Sequence, residues 1–248
     1  MIAEYWANGP HTELPPGHWD LFGQYISARD NHSVDDDAKM FFALTAAIHD
    51  AGIVAWDAKR YSDSVRPVTA IPFLFHGQTI QSWGGPYMGT VSMDGGNWIP
   101  YQPSTFPTPP FPSYISGHST FSAAGAIILS DWTGSDTFGA SVTFAPGSSV
   151  IEPGLTPATS IALVWPTFTD ASNQAGISRR YGGIHFKADD QGSGKEDRQS
   201  GLVEGAKLLQ RESALNADCR VVWIDSEAAV FCEPRRLLQV AFIVTIVC

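Results

Sequence analysis

The stretch SVDDDAKMFFALTAAIHDAGIVAWDAKRY, residues 33–61, decides the fold class, because it carries the strongest helix signal in the chain. Ser33 and Asp36 have the spacing of a capping box, and the carboxylates beside Asp36 suit the positive end of a helix dipole. The apolar residues that follow recur at three- to four-residue spacing: Phe41, Leu44, Ile48, Ala51 and Ala55. We therefore predict one long amphipathic helix that ends at about Tyr61, inside a mostly helical protein.

Weaker helix signals flank this stretch. They predict a short helix at about 19–27, a helix at about 116–132, a helix at about 157–181 with an interruption near Pro166 left open, and a last helix at about 199–211. Gly- and Pro-rich segments occupy 77–112 and 133–160, and loops this long usually carry function or cover a site. We predict an all-α helical bundle formed by residues 1–211, with long Gly/Pro-rich loops, and a tail of uncertain structure at 212–248.

Composition excludes several classes of protein. The 248 residues are 44% hydrophobic and 16% charged, as in a folded domain, and the net charge of −10 argues against nucleic acid as a partner. No signal peptide and no apolar run long enough to span a membrane are visible. The three cysteines all lie in the tail and have no zinc-type spacing. Location stays open, including a secreted or periplasmic one if a longer precursor carries a signal, and so does homo-oligomer formation.

Three segments carry groups that together suit a bound oxyanion. The first, KRYSDSVRP at 59–67, supplies Lys59 and Arg66. The second, FPSYISGHS at 111–119, places a Ser-Gly pair at a predicted helix start, where free amides and the helix dipole attract anions. The third, SRRYGGIHFKAD at 178–189, has an Asp four residues after a His, a spacing that lets the carboxylate face the ring on a helical turn. Each segment alone has an ordinary structural explanation, but the three together do not.

The three segments resemble the signature of the vanadium haloperoxidase and type 2 phosphatidic acid phosphatase superfamily. Its pattern is Lys-x6-Arg-Pro, then Pro-Ser-Gly-His, then Ser-Arg-x5-His-x3-Asp. The likeness spans about residues 56–189 and departs at Ile115, where the family usually has Pro. The five-residue spacing to His185 selects Arg179 rather than Arg180. The resemblance implies a helical bundle with the site inside, and relatives that carry additional helices before this region.

The resemblance also implies a role for each matching residue. His185 would be the vanadium ligand or a phosphatase nucleophile, Asp189 would orient it, and His118 would be the general acid/base. Vanadate, which phosphate can replace, would be bound by the side chains of Lys59, Arg66, Ser116 and Arg179 and by the amide of Gly117. Hydrogen peroxide would replace its apical oxygen, with Lys59 polarising the bound peroxide, and the metal would act as a Lewis acid without changing oxidation state.

Two aromatic positions favour the haloperoxidase branch. Trp56 and Phe111 match aromatics near the halide site of vanadium chloroperoxidases, although plain core packing would also explain them. Bromoperoxidases resemble each other in carrying a second His seven residues after the one that matches His118, where this chain has Gly125. The implied function is vanadate-dependent oxidation of halide by hydrogen peroxide to hypohalous acid, with a small organic acceptor.

Two other functions stay open. One is a soluble acid phosphatase that hydrolyses phosphate monoesters through a phosphohistidine at the same residues, and the other is an inactive fragment. The histidines outside the three segments show no ligand spacing and are interpreted as structural, with His49 expected to be the most buried of them: His11, His18, His32, His49 and His76.

Overall fold

The computed structural model describes residues 1–9, 12–191, 219–224 and 227–232, the last two ranges by their backbone only. The helices are α1 (Ile2–Tyr5), α2 (Leu14–Asp30), α3 (Val34–Ser62), α4 (Pro67–Phe75), α5 (Gly117–Thr133), α6 (Phe168–Tyr181) and α7 (Lys187–Gln191). The strands are β1 (Thr79–Trp83), β2 (Thr90–Asp94), β3 (Thr137–Phe144), β4 (Ile161–Thr167), β5 (Cys219–Ile224) and β6 (Glu227–Cys232). The all-α bundle is confirmed, and the strands of the described residues pair as three two-stranded antiparallel sheets, β1–β2, β3–β4 and β5–β6.

Helix α3 has the start and the buried face that its sequence predicts. The Ser33 side chain accepts from the amide of Asp36 and the Asp36 carboxylate accepts from the amide of Ser33, which satisfies amides that the helix leaves without partners. Its buried residues follow each other at three- to four-residue spacing: Met40, Leu44, Ala47, Ile48, Ala51, Ala55 and Lys59. The stripe that buries apolar side chains therefore ends on a cation.

The core lies where α3 packs against α5 and α5 packs against α6, with α2 covering α3 and α5. Its largest side chains are aromatic and come from helices and from the β3–β4 hairpin: Trp6, Trp19, Phe22, Phe138, Trp165 and Phe168. This packing places the C-terminal end of α3, the N-terminal end of α5 and the C-terminal end of α6 near one another. These ends belong to the three segments singled out above.

Helix α5 packs closely because it carries small residues. A Cβ atom on Gly125 would lie 2.5 Å from Cδ2 of the buried Trp19 ring, so this position has no room for any side chain. The Trp19 indole nitrogen donates to the Ser122 hydroxyl at 3.0 Å on the same helix. The second histidine that bromoperoxidases carry at the position of Gly125 therefore cannot be accommodated without moving Trp19.

The predicted helix at 157–181 is wrong in its first part. Residues Ile161–Thr167 form strand β4, paired with β3, and helix α6 begins at Phe168 after a capping box between Thr167 and Asp170. Burial in β4 alternates, with Leu163 and Trp165 buried, but the exposed position between them carries the apolar Val164, so the sequence shows no period-two signal. The helix predicted at 199–211 lies outside the described residues.

The loop-like segments and the tail also contain strands. The segment 77–112 includes the β1–β2 hairpin, and the tail includes β5 and β6, whose register places Cys219 opposite Cys232. One stretch of the described residues, Val34–Phe75, is long and apolar enough to cross a membrane by length and composition. The core helix of a soluble protein passes the same test, and α3 ends inside this stretch at Ser62, with Asp63 as its C-cap.

The expectation about buried histidines is wrong for one residue. His49 lies on the outer face of α3 with a largely exposed side chain, whereas His18 on α2 is buried between the rings of Tyr5 and Trp6. The long helix α3 buries only one stripe, and His49 falls beside Ile48 on the neighbouring face. His11 lies outside the described residues.

Candidate active site

Lys59 lies in the last turn of α3, at the end of the stripe that faces the core. Its ammonium donates to the carbonyl oxygens of Pro112 at 2.8 Å and Ser113 at 2.9 Å. Burial, together with the Arg66 cation, lowers the pKa of Lys59 to about 7, while Asp189 acts in the opposite direction. A bound anion would reverse this shift, because it favours the charged ammonium.

Arg66 is the N-cap of α4 and spans the gap between two segments. Its Nε donates to the Phe111 carbonyl at 2.8 Å, and its Nη1 donates to the Ile184 carbonyl at 2.8 Å. The same Nη1 lies 3.2 Å from Nε2 of His185. Its Nη2 is buried and has no hydrogen-bond partner in the described part of the chain. Burial lowers the pKa of Arg66 to about 10. The unpaired Nη2 is therefore available to donate to a ligand.

The contacts of His185 assign its tautomer. Arg66 can only donate, so Nε2 of His185 must present its lone pair to it. Nδ1 then carries the proton and donates to Oδ2 of Asp189 at 3.2 Å. Burial lowers the pKa of His185 to about 4, and the cations of Arg66 and Lys59 add to this, so the ring is neutral at pH 7. A neutral imidazole whose Nε2 carries the lone pair is what a metal ligand or a nucleophile requires.

Asp189 lies on α7 and its Oδ2 accepts three hydrogen bonds. The donors are His185 Nδ1, the Ser113 hydroxyl and the amide of Phe186, the last at 2.7 Å. Burial alone would raise the pKa of Asp189, but these hydrogen bonds outweigh it and hold the pKa below its ordinary value. The carboxylate is therefore ionised and fixed in direction.

The start of α5 supplies backbone groups. Ser116 is the N-cap, fully buried, and its hydroxyl accepts from the Ser119 amide at 3.3 Å. The Ser116 amide donates to the Asp189 carbonyl at 2.8 Å, which ties this helix start to α7. As the first helical residues, Gly117 and His118 have no intrahelical acceptor for their amides. A Cβ atom on Gly117 would lie 3.4 Å from ring atoms of Trp56 and Phe121, which is ordinary van der Waals contact, so both rings pack directly against this helix start.

His118 and Arg179 are held by the first residues of the chain. His118 Nε2 lies 2.7 Å from the Trp6 carbonyl and 3.1 Å from the Asn8 amide nitrogen, and Nη2 of Arg179 donates to the Ala3 carbonyl at 2.6 Å. The shorter contact is to a carbonyl, which can only accept, so Nε2 of His118 carries the proton and Nδ1 the lone pair. The Asn8 amide then turns its oxygen, which has no other partner among the described residues, toward that proton. Desolvation, with help from the Arg179 cation, lowers the pKa of His118 well below its ordinary value.

The charge of the site is unbalanced. Lys59, Arg66 and Arg179 are 1%, 6% and 1% exposed, and none has a carboxylate within salt-bridge distance among the described residues. Asp189 is the buried carboxylate that favours the charged forms of Lys59 and Arg66. Burying a cation without an ion-pair partner costs free energy, so the site favours binding of an anion. The described residues contain no group of three His, Cys, Asp or Glu side chains that could hold a metal cation.

Aromatic side chains flank the cations. The rings of Trp56 and Phe111 lie 5.2 Å apart, and Lys59 Nζ lies 5.9 Å and 5.1 Å from their centres. The Arg66 guanidinium lies 5.0 Å from the Phe111 ring, so Phe111 contacts both cations. Phe121 adds a third ring 6.1 Å from Trp56. The two predicted aromatic positions therefore lie together, beside the predicted cations.

Sequence reasoning missed several residues that shape this site. Ser113, Phe121 and the segment containing Ala3, Trp6 and Asn8 were not singled out. The position of Ser113 inside the second segment was a usable signal, because it lies three residues before the helix cap. Nothing in the sequence indicated that Ala3 and Trp6 contact Arg179 and His118, since they do so through backbone carbonyls rather than side chains.

Comparison with known proteins identifies the family. The model of the VCPO second helical-bundle domain, from vanadium chloroperoxidases, matches residues 39–203. The chain belongs to this family. The matched range contains all three segments of the VCPO-type bundle, and the resemblance found in the sequence is confirmed. No curated protein matches the sequence.

Solved structures share the VCPO-type bundle. A holo bacterial vanadium-dependent chloroperoxidase is 29% identical with a TM-score of 0.72, over 85% of this chain and 43% of that one. The apo form is 27% identical with a TM-score of 0.71, over 85% and 44% of the two chains. A bacterial vanadium-dependent iodoperoxidase is 26% identical with a TM-score of 0.58, over 84% and 43%. The chain thus spans less than half the length of these proteins.

Proposed function

We propose that this chain binds vanadate at His185 and oxidises halide with hydrogen peroxide to hypohalous acid. The observation that carries the proposal is the combination of three buried cations without carboxylate partners and a neutral His185 whose Nε2 carries a lone pair. The orphaned Nη2 of Arg66 beside that nitrogen supports the fit of a tetrahedral oxyanion. When bound, vanadate supplies a Lewis-acid centre that activates hydrogen peroxide toward the halide.

The residues of the chain then bind, orient and move protons. Asp189 holds the proton on Nδ1 of His185, so that Nε2 stays a ligand. Lys59, Arg66 and Arg179 neutralise the oxyanion, and the hydroxyl of Ser116 and the amide of Gly117 donate to its oxygens. His118 accepts a proton at Nδ1 and returns it, as a general acid/base. Lys59 would also place its positive charge beside the position where hydrogen peroxide is activated.

The halide is assigned to the aromatic side of the site. Trp56 and Phe111 provide apolar ring surface next to Lys59, which suits a weakly hydrated anion. A depression of about 340 Å³ reaches Arg66 and Phe111 from the surface and offers a path for small substrates. A larger groove of about 570 Å³ runs along Trp56 and Phe121 and offers space for a small organic acceptor.

The same geometry supports a second candidate. The Nε2 lone pair of His185 is also suited to attack a phosphate ester and form a phosphohistidine, with His118 assisting its hydrolysis. The two activities share the oxyanion pocket and differ in what lies beside it. The adjacent pair of Trp56 and Phe111 favours the halide reaction.

A paired assay separates the candidates. Protein reconstituted with vanadate is assayed with peroxide plus bromide or chloride, and vanadate-free protein is assayed with a phosphate monoester. We expect peroxide-dependent halide oxidation that phosphate, added before vanadate, suppresses. Arg179→Ala should remove the activity, whereas Arg180→Ala, at the neighbouring and less buried position, is the matched control. Ester hydrolysis inhibited by vanadate, without halide oxidation, would replace the first proposal with the second, and no activity with either substrate would contradict both.

A further inference from the structure

Ser113 joins the three segments of the site, although none of the roles above includes it. It is fully buried, and its amide donates to the Ser64 carbonyl at 3.0 Å. Its carbonyl accepts from Lys59 at 2.9 Å, and its hydroxyl donates to Oδ2 of Asp189. Residues of the first and third segments therefore meet on this one residue of the second segment.

The hydroxyl acts on the same oxygen that orients His185. Oδ2 of Asp189 accepts from Ser113 and from Nδ1 of His185, and the Ser113 hydroxyl lies 3.5 Å from that Nδ1. The other donor to Oδ2, the Phe186 amide, comes from the same local turn as His185 and Asp189. Ser113 thus connects the His185–Asp189 pair to Lys59 and to the segment that leads into α5.

A misplaced Asp189 would change which nitrogen of His185 carries the proton. With the carboxylate in place, Nδ1 donates to it and Nε2 keeps the lone pair that faces Arg66. If the carboxylate rotates away, the Nδ1 proton loses its acceptor and the tautomer protonated at Nε2 becomes more populated. That tautomer cannot bind an oxyanion centre, because its Nε2 has no lone pair.

We infer that Ser113 is a positioning residue: its hydroxyl holds the Asp189 carboxylate against Nδ1 of His185 and so keeps Nε2 available as the ligand. The inference deepens the proposed function and rests on it. Residues that orient a metal-binding histidine typically change affinity by about 10–100-fold when removed. Substituting the side chain leaves the backbone contacts of Ser113 with Lys59 and Ser64 in place, which isolates the hydroxyl.

The test uses two readouts on the full chain. Vanadate and inorganic phosphate affinities are measured by calorimetry, and the tautomer of His185 is measured in ligand-free, ¹⁵N-histidine-labelled protein by long-range correlation spectra. Ser113→Ala should weaken vanadate binding by about 10–100-fold and raise the population protonated at Nε2. Ser113→Thr, which restores a hydroxyl, should return both readouts toward the wild-type values. If Ser113→Ala does not fold, Ser113→Cys replaces it as a weak donor of similar size.

Ser122→Ala is the matched control, because it also removes a buried hydroxyl, the one that accepts from Trp19. It should lower thermal stability without changing either readout. Unchanged affinity and an unchanged tautomer in folded Ser113→Ala would overturn the inference, and so would equal changes in Ser122→Ala. Failure of the proposed function is distinguishable: wild-type protein would not bind vanadate, while the tautomer of His185 in Ser113→Ala would still decide the role of Ser113.

Discussion

At the scale of single residues, the two histidines of the site differ in which nitrogen is free. His185 carries its proton on Nδ1, where it donates to Asp189. His118 carries its proton on Nε2, where it donates to the Trp6 carbonyl. One ring therefore presents Nε2 and the other presents Nδ1. The acceptor of His185 lies four residues away on a local turn, whereas the acceptor of His118 lies at the start of the chain, so the tautomer of His118 is the one that depends on a distant acceptor.

Substitution should separate these two histidines. His185→Ala removes the proposed covalent ligand, and we expect vanadate binding to be abolished. His118→Ala should retain binding and lose about 10²–10⁴-fold in rate, the usual worth of general acid/base assistance. Binding is measured by calorimetry and rate by halide oxidation. Equal loss of vanadate affinity in both variants would show that their roles are misassigned.

The aromatic residues beside Lys59 should affect the halide rather than the oxyanion. Trp56→Ala and Phe111→Ala remove apolar walls and admit water, while the hydrogen-bonding groups of the site remain. We expect vanadate affinity to persist and bromide or chloride oxidation to fall in both variants. Phe42→Ala, which replaces an exposed aromatic residue on the same helix as Trp56, is the control. Unchanged oxidation in both site variants would remove the halide assignment.

At the scale of elements, helix α5 joins the site to the core. Its N-cap Ser116 and first residue Gly117 belong to the candidate site, and its second and third turns carry the small residues that let α2 approach. Gly125 contacts the Trp19 ring so closely that a Cβ atom would overlap it. One helix therefore determines both the position of the amides that are proposed to bind the oxyanion and the packing of α2.

A side chain added at Gly125 should destabilise the protein. Gly125→Ala gains helix propensity, but the methyl group must displace Trp19 and break its hydrogen bond to Ser122. Overpacking of this kind costs about 1–3 kcal/mol, so we expect a lower free energy of unfolding in urea titrations. Ser130→Ala, a partly buried site on α5, controls for propensity alone. Equal or higher stability of Gly125→Ala would contradict the packing argument.

At the scale of the whole molecule, burial of basic groups couples stability to pH. His185 and His18 have pKa values lowered to about 4 from 6.5, both chiefly by burial. Between these values the unfolded chain binds more protons than the folded one. Their contribution is fully present above pH 6.5 and is lost as pH falls toward about 4. Lys59, lowered to about 7 from 10.5, makes the ligand-free protein more stable as pH rises through that range.

Unfolding measurements with and without phosphate test this coupling. The ligand-free protein should lose stability from pH 6.5 to 4, and His185→Gln should reduce that slope, whereas His49→Gln, at an exposed position, should not. Phosphate should stabilise the protein by mass action, and its effect should weaken above pH 7 as Lys59 loses its proton. A phosphate effect that does not change with pH would argue against Lys59 as an anion ligand.

Much of the fold and the membership of the site followed from local pattern. The capping box and apolar spacing of residues 33–61 predicted α3, and the Ser-Gly pair predicted the start of α5. The spacing of His185 and Asp189 predicted their contact, because four residues on a helical turn bring side chains together. These features are set by short-range geometry, so the sequence alone determines them.

Only the tertiary structure decided the rest. The residues of strand β4 were predicted to be helical, because their local signal is weak. They form a strand because they pair with β3. Ser113 and the carbonyls of Ala3 and Trp6 act through contacts between residues far apart in the chain, which no local spacing indicates. The lowered pKa values of Lys59 and His185 also depend on burial. Sequence therefore indicated most of the side chains of the candidate site, and packing decided how each one is charged, oriented and partnered, because desolvation and hydrogen-bond geometry exist only in the folded chain.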